Sequence, residues 1–457
     1  MASEVATRAS RVFRSPGLKF LAIAALTVAM AIPLFFINLA LADREQSANG
    51  AAIDIATGWG GTQTVAGPVL VVPYTVEREE IIDGKTVRQT ERLNAVLLPE
   101  DLNVDASAVE ETRWRGIFSV PVYRAGIGLR ATFAKAAILA AVPPDATVLW
   151  EQVSASVLVT DAHGLADNVA LKVNGRTVMF QPGSNIGQYS GTDTGGAMST
   201  LSGMSAPLGL TQADNLEIDT RFTLRGSREL SFAPLGRRTT AHMRSGWPSP
   251  SFFGAFLPTE RHVDKDGFTA SWVVPYLARG FGQSFDSIPQ AASFLLTPAS
   301  GVKFYQPVDH YQLVDRSLKY AILFIALAFL IFFVAETVSP NRLHVVQYAL
   351  VGAAQALFYL LLLSFSEHIG FALAYLIGAT ATVVLTSLYA VSALADKARA
   401  AALSIILAAL YALLYVILNA EDFALLIGSC LLFVALAATM YVTRGVDWYG
   451  VRTAEAA

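Results

Sequence analysis

Six runs of about twenty apolar residues punctuate the chain, at 18–41, 318–338, 345–365, 370–394, 400–418 and 423–442. A helix needs about 20 such residues to cross a hydrocarbon core, so the pattern predicts six membrane spans, one before and five after a long stretch of different texture. In that stretch, 43–317, short apolar or β-branched runs are bounded by Gly, Pro, Asn and Asp, which predicts strands at 68–74, 118–123, 153–159 and 268–274. Asn174-Gly175 between the alternating runs of 169–180 predicts a hairpin. Two pieces read as helical, 43–57 and about 286–295. The segment 183–209, rich in Gly, Ser, Thr and Met, reads as a mobile loop or insertion. The expected fold is an α-helical polytopic membrane protein of six transmembrane helices, with a large β-rich, sandwich-like domain inserted between the first and second.

Composition sharpens this picture. With 54% hydrophobic and 15% charged residues, and a mean hydropathy of +0.47, the chain is too apolar for a soluble enzyme of its length. Of its 69 charged residues, 51 lie between Asp43 and Arg316, so the spans are nearly free of charge. A net charge of −3 excludes the basic footprint that nucleic-acid binding needs. The lone cysteine, Cys430, lies in the last span and excludes an intrachain disulfide or a cysteine-rich zinc site.

Orientation follows from the positive-inside rule. With the N-terminus inside, Arg8, Arg11, Arg14, Lys19, Arg342, Lys397, Arg399, Arg444 and Arg452 are cytoplasmic, whereas the short outer loops at 366–369 and 419–422 hold no Lys or Arg. Both termini (1–17 and 443–457) are therefore expected in the cytoplasm and 43–317 outside. The first span ends in Ala40-Leu41-Ala42, which raises cleavage as a signal peptide, but its apolar run exceeds the usual 7–15 residues or so of such a segment and favours a retained anchor.

No HExxH, GxSxG, Walker A or GxGxxG motif occurs in the outer domain. Gly126-Ile127-Gly128 and Gly280-Phe281-Gly282 lack a third glycine and read as turn or bulge glycines. His163, His242, His262 and His310 have no ligand spacing and read as surface or satisfied side chains. The segment 245–258 holds Pro248, Pro250 and Pro258 among Trp247, Phe252, Phe253 and Phe256, and reads as a rigid extended arm suited to binding a partner.

This arm, with Trp59-Gly60, Gly67-Pro68-Val69-Leu70 and the run Arg115 to Tyr123, resembles the CreD family of inner-membrane proteins. The most specific matches lie in Gln306-Pro307-Val308-Asp309-His310-Tyr311-Gln312-Leu313, His344 to Gly352, Ser366 to Tyr375 and Glu421 to Ser429. The resemblance runs from the first span to Asp447-Trp448. It implies a bacterial inner-membrane protein linked to envelope integrity, expressed under the Cre two-component system and associated with tolerance to envelope-acting agents, with no enzyme activity and no cofactor.

Candidate chemistry in the spans is sparse. Tyr348, Gly352, Gln355 and Tyr359 share one helical face, a polar seam that either packs between helices or lines a substrate path. Gly370, Ala374, Gly378 and Thr382 form a small-residue ridge permitting close helix approach. No ionisable residue lies mid-span; Glu336 is near the inner end and Glu367 near the outer, which weakens ion-coupled transport. One span, an outer β-domain and five more spans is also the plan of a YidC-like insertase, but no span carries a central Arg and the first inner loop is short. Glu367, His368, Glu421, Asp422, Asp309 and His310 converge on the outer face as an interaction cluster, open to reading as solvated loop residues with Ser366 or Asp422 capping a helix, as a docking point, or as a divalent-cation site. The expected partners are the lipid bilayer and an unidentified envelope component. The competing functions are a non-enzymatic envelope protein, a transporter, lipid-handling or insertase-like factor, and a membrane-surface enzyme resting on His368 and its acidic neighbours.

Overall fold

The first apolar run begins a helix that continues well past the membrane length. Helix α1 (Pro16–Ala29) and helix α2 (Ala31–Trp59) are separated by a turn at Met30. The break has a local cause: Pro33 has no N–H to donate to the Ala29 carbonyl and its ring crowds that turn. The computed structural model describes residues 16–82, 85–186, 202–296, 299–304, 310–337, 342–394, 396–420 and 423–444. It divides into two units, Met1–Ala48 with Val308–Ala457, and Asn49–Pro307.

Short helices α3 (Lys135–Ala140) and α4 (Ile288–Leu295) belong to the second unit. The first contains α5 (His310–Thr337), α6 (Val345–Ile369), α7 (Phe371–Leu394), α8 (Lys397–Asn419) and α9 (Ala424–Thr443). Together with the first helix, these make, among the described residues, six helices long and apolar enough to cross a membrane. Phe358 of α6 anchors the bundle, edge-on to Tyr375 of α7 and Tyr411 of α8 at centroid distances of 5.4 and 4.9 Å. The small-residue ridge packs except at Gly370, which is exposed before α7 begins: Ala374 and Thr382 are buried, and a Cβ on Gly378 would sit 3.3 Å from the Phe358 ring. At Gly352 a Cβ would lie 2.6 Å from Phe329, so only glycine lets α5 and α6 approach this closely there.

The second unit is a β-sandwich. Its strands are β1 (Gln63–Ile82), β2 (Lys85–Leu97), β3 (Asp101–Arg115), β4 (Phe118–Phe133), β5 (Thr147–Val148) and β6 (Ser154–Val159). Then follow β7 (Ala170–Val173), β8 (Arg176–Met179), β9 (Gln181–Pro182), β10 (Gly203–Pro207), β11 (Leu216–Ser227) and β12 (Glu229–Phe232). The last are β13 (Arg238–Ser245), β14 (Pro250–Gly254), β15 (Glu260–Asp264), β16 (Gly267–Pro275), β17 (Ser284–Phe285) and β18 (Ser300–Phe304). One sheet runs β14-β18-β12-β1-β6-β10-β9, with β2, β5 and β17 attached; the other runs β15-β16-β13-β3-β4-β11-β7-β8. Alternation along β3 and β11 sends every second side chain inward, where Leu102, Ile127 and Ile218 of one sheet share a core with Val72, Leu97 and Val157 of the other. Phe232 meets Trp272 edge-on at 5.5 Å across this core. Tyr123 is fully buried and donates its hydroxyl to the Glu229 carbonyl at 2.6 Å; burial, with the nearby Glu229 charge, pushes its pKa well above the usual phenol value.

Several sequence expectations hold in detail. Asn174 and Gly175 both take positive φ (48° and 83°) in the two-residue turn joining β7 to β8, the geometry that an Asn-Gly hairpin requires. Three others are corrected. Within 183–209, residues 203–207 are strand β10, buried except for Pro207 and paired along β6, while 187–201 lie outside the described residues. The 245–258 arm is no free extension: its middle is the edge strand β14, paired with β18. Gly126 and Gly128 are neither turn nor bulge, since β4 keeps unbroken register through both with β3 and β11.

Candidate functional site

The outward face of the eight-stranded sheet carries the largest polar concavity described, a cleft of about 700 Å³. Its floor is set by register. Parallel pairing of β13 with β3, and antiparallel pairing of β3 with β4 and of β4 with β11, align His242, Asp105, Gly128 and Arg221 in one row across the sheet. Arg244, Ser107, Gly126 and Thr223 form the next row, and Thr240, Asn103, Arg130 and Asp219 the row on the other side of the first. All these positions point away from the core, so at β4 two successive outward side chains are missing and a trough opens between β3 and β11.

The walls are charged. Arg130 donates to Asp219 Oδ2 at 3.4 Å, Arg244 Nε donates to Ser107 Oγ at 3.2 Å, and His242 Nδ1 lies 3.0 Å from Ser271 Oγ. Among the described residues neither Asp105 nor Arg221 has an ion-pair partner. Their backbones flank Gly128 in register, two strand spacings or about 10 Å apart. One side is raised by the chain between Leu165, which bridges to Leu224, and β7. There Asp167 and Asn168 overhang the trough.

The aromatic arm is built differently from its expectation. Trp247, Phe252 and Phe256 are half-buried against the core: Trp247 lies edge-on to Phe304 at 6.1 Å, and Phe252 edge-on to Phe268 at 5.7 Å. Phe253 lies under Lys303, 4.9 Å from the ring centroid, and Pro248 is exposed. Three of the five residues proposed as a binding arm are therefore committed to packing.

In the membrane unit, the outer-face candidates come together only in part. Glu367, with its side chain 6% exposed, accepts from the Tyr311 hydroxyl at 3.0 Å and lies 3.8 Å from Arg44 Nε of α2. His368 turns back to the Ser364 carbonyl at 3.1 Å and is exposed. Residues 366–369 are the last turn of α6, closed by Gly370 with φ 77°, so Ser366 caps no following helix. Asp309, Glu421 and Asp422 lie outside the described residues, and among the described residues no three His, Cys, Asp or Glu group as a metal site. The His310 ring lies tilted against that of Tyr311, their centroids 4.1 Å apart.

The polar seam separates into two parts. Tyr348 is 1% exposed and donates to Glu336 Oε2 at 2.8 Å; the other Glu336 oxygen takes Lys19 of α1, which also reaches the Leu343 carbonyl. This knot of α1, α5 and α6 escapes sequence reading because its two charges are 317 residues apart. Tyr359 is buried beside Phe358. Gln355 is 3% exposed, and its Nε2 has no hydrogen-bond partner among the described residues. A buried donor left unsatisfied costs about 1–3 kcal/mol, so Gln355→Leu is expected to leave the bundle unchanged or stabilise it by about 1 kcal/mol, read as the unfolding midpoint of the purified chain. Loss of function at unchanged protein level would instead favour a polar path through the bundle.

Six apolar helices divided one and five around a two-sheet insertion define a polytopic membrane protein with a β-sandwich domain. The family model described as Inner membrane protein CreD matches residues 15–449. Inner membrane protein CreD of Escherichia coli (strain K12) is 35% identical over 424 residues, 92% of this chain and 90% of that protein. The chain belongs to the CreD family of inner-membrane proteins.

Proposed function

We propose that this chain is a non-enzymatic envelope-support protein whose sandwich, residues 43–317 on the periplasmic side with both termini cytoplasmic, binds an envelope component in the trough floored by Gly126 and Gly128. The observation that carries the reading is the row Asp105-Gly128-Arg221, an anion and a cation without ion-pair partners among the described residues, flanking a position with no side chain. That pattern suits an extended ligand bearing both a cationic and an anionic group. Catalysis asks for a nucleophile or a base held in reach of an orienting partner. The trough residues instead hold one another through side-chain hydrogen bonds on an open face. Orientation is supported by the basic residues on the loops between spans, and the physiological role by membership in the family.

In a strain lacking its own copy, survival under an envelope-acting agent is the readout. Arg221→Glu is expected to remove most of the tolerance and Arg221→Lys to keep it. Arg261→Glu on the outer strand β15, away from the trough, should have no effect. Full tolerance with Arg221→Glu, at normal protein level, would sink the trough as the working site.

A further inference from the structure

Helix α9 is the least embedded of the six spans, with none of its most apolar window buried. It leaves a crevice on each side against α5. The larger, about 570 Å³, lies between α5, α8 and α9; the smaller, about 370 Å³, lies between α1, α5 and α9. Sixteen of the eighteen residues lining the larger crevice are Ala, Val, Leu or Ile, and the exceptions are Thr439 and Arg399. Thr439 donates its hydroxyl to its own helix, to the Ala435 carbonyl at 2.7 Å. Arg399 is thus the single ionic group lining the crevice, and it stands at one end.

Dimensions decide what fits. From Arg399 to Leu413 the crevice follows α8 for fourteen residues, about 21 Å at 1.5 Å per residue. This covers the ~15 Å hydrocarbon depth of one leaflet plus the headgroup level. Its volume of about 570 Å³ and its almost wholly aliphatic lining suit an acyl chain laid lengthwise along α8.

The mouth is basic. Asp396 caps α8 through the Ala398 and Arg399 amides and engages Arg399 through Nε at 3.2 Å. A guanidinium carries four further N–H donors on its terminal nitrogens, in a fork suited to phosphate oxygens. Lys397 is exposed at the same end, and Arg444 follows the last turn of α9. With Asp396 engaged and Glu336 neutralised by Lys19, positive charge is in excess there.

We propose that the crevice between α5, α8 and α9 is a binding site for an anionic glycerophospholipid, one acyl chain lying along α8 and its phosphate held by Arg399. The test is native mass spectrometry of the purified full-length chain, equilibrated with phosphatidylglycerol or with phosphatidylcholine of the same acyl chains. Phosphatidylglycerol should be retained about fivefold better, the preference that one basic residue gives at an anionic surface. Arg399→Gln should abolish that preference and Arg399→Lys should keep it. Ala435→Phe, which narrows both crevices, should reduce retention of either lipid without touching the charge. Equal retention of the two lipids by the unmodified chain, or a preference that survives Arg399→Gln, would overturn the proposal. So would a lipid-free dimer as the stable species.

Discussion

Replacing Glu336 with Ala is expected to destabilise the membrane bundle by about 3–5 kcal/mol, the usual loss when one member of a buried ion pair is removed. The Glu336 side chain is 8% exposed and that of Lys19 18%. Among the described residues the carboxylate is the one anion paired with Lys19, and it also accepts from Tyr348, itself buried against Phe329 and Phe332. Without it, the ammonium keeps only the Leu343 carbonyl and the Tyr348 ring, and the phenol hydroxyl loses its acceptor. The pair is not expected to be worth this much in itself, since apolar replacements of both partners are often neutral. Lys19→Met with Glu336→Gln should therefore recover to within about 1 kcal/mol of the original, the amide still accepting from Tyr348. Unfolding of the purified full-length chain in mixed micelles, followed by circular dichroism, gives both numbers. Equal losses in the single and double variants would mean that the knot acts through packing rather than charge.

The knot also shows where sequence reading stops. Lys19 is visible as one of the basic residues that orient the first span, and Glu336 as a carboxylate near a span end. Each has a sufficient local explanation, and only the packing of α1 on α5 makes them one feature. The spans themselves are legible because hydrophobic length is a local property, as is the Asn174-Gly175 turn. Strand β10 is not, because Gly203-Met204-Ser205-Ala206-Pro207 has a loop's composition. It is a strand through its fit: a Cβ on Gly203 would lie 2.3 Å from the Val157 carbonyl, so β6 selects the small residue. The aromatic arm failed in the opposite sense. Its prolines read as stiffening a projecting segment, whereas Pro250 starts an edge strand, where a missing N–H is tolerated, and Trp247, Phe252 and Phe256 turn to the core. Of the trough, the sequence shows the two glycines, which read as a turn or bulge, and His242, which reads as a surface or satisfied side chain; Asp105, Arg221 and Arg244 beside them come from three other strands.

Filling the trough should raise stability and remove function together. Glycine inside a strand loses about 0.5–1 kcal/mol relative to a residue with a side chain, and most such glycines are retained because something crowds them. Here nothing does. A Cβ on Gly126 would meet no atom within 4 Å, and one on Gly128 would find only ordinary contacts, 3.8 Å from Asp105 and 3.9 Å from Arg221. Neither residue has positive φ. Gly226 differs: a Cβ there would lie 2.2 Å from the Tyr123 hydroxyl, and packing alone accounts for it. The chain thus forgoes about 1–2 kcal/mol at two adjacent outward positions that would accept threonine. Gly126→Thr with Gly128→Thr is expected to raise the stability of the sandwich by about that amount, measured as the shift of its thermal transition in the full-length chain. Gly128→Trp, placing an indole between Asp105 and Arg221, is expected to abolish tolerance to an envelope-acting agent at normal protein level. If the paired threonines stabilise the sandwich and Gly128→Trp leaves tolerance intact, the two glycines are an unselected cost and the ligand binds elsewhere. Loss of tolerance without loss of folding, in a variant that replaces no charged residue, would place the ligand over β4.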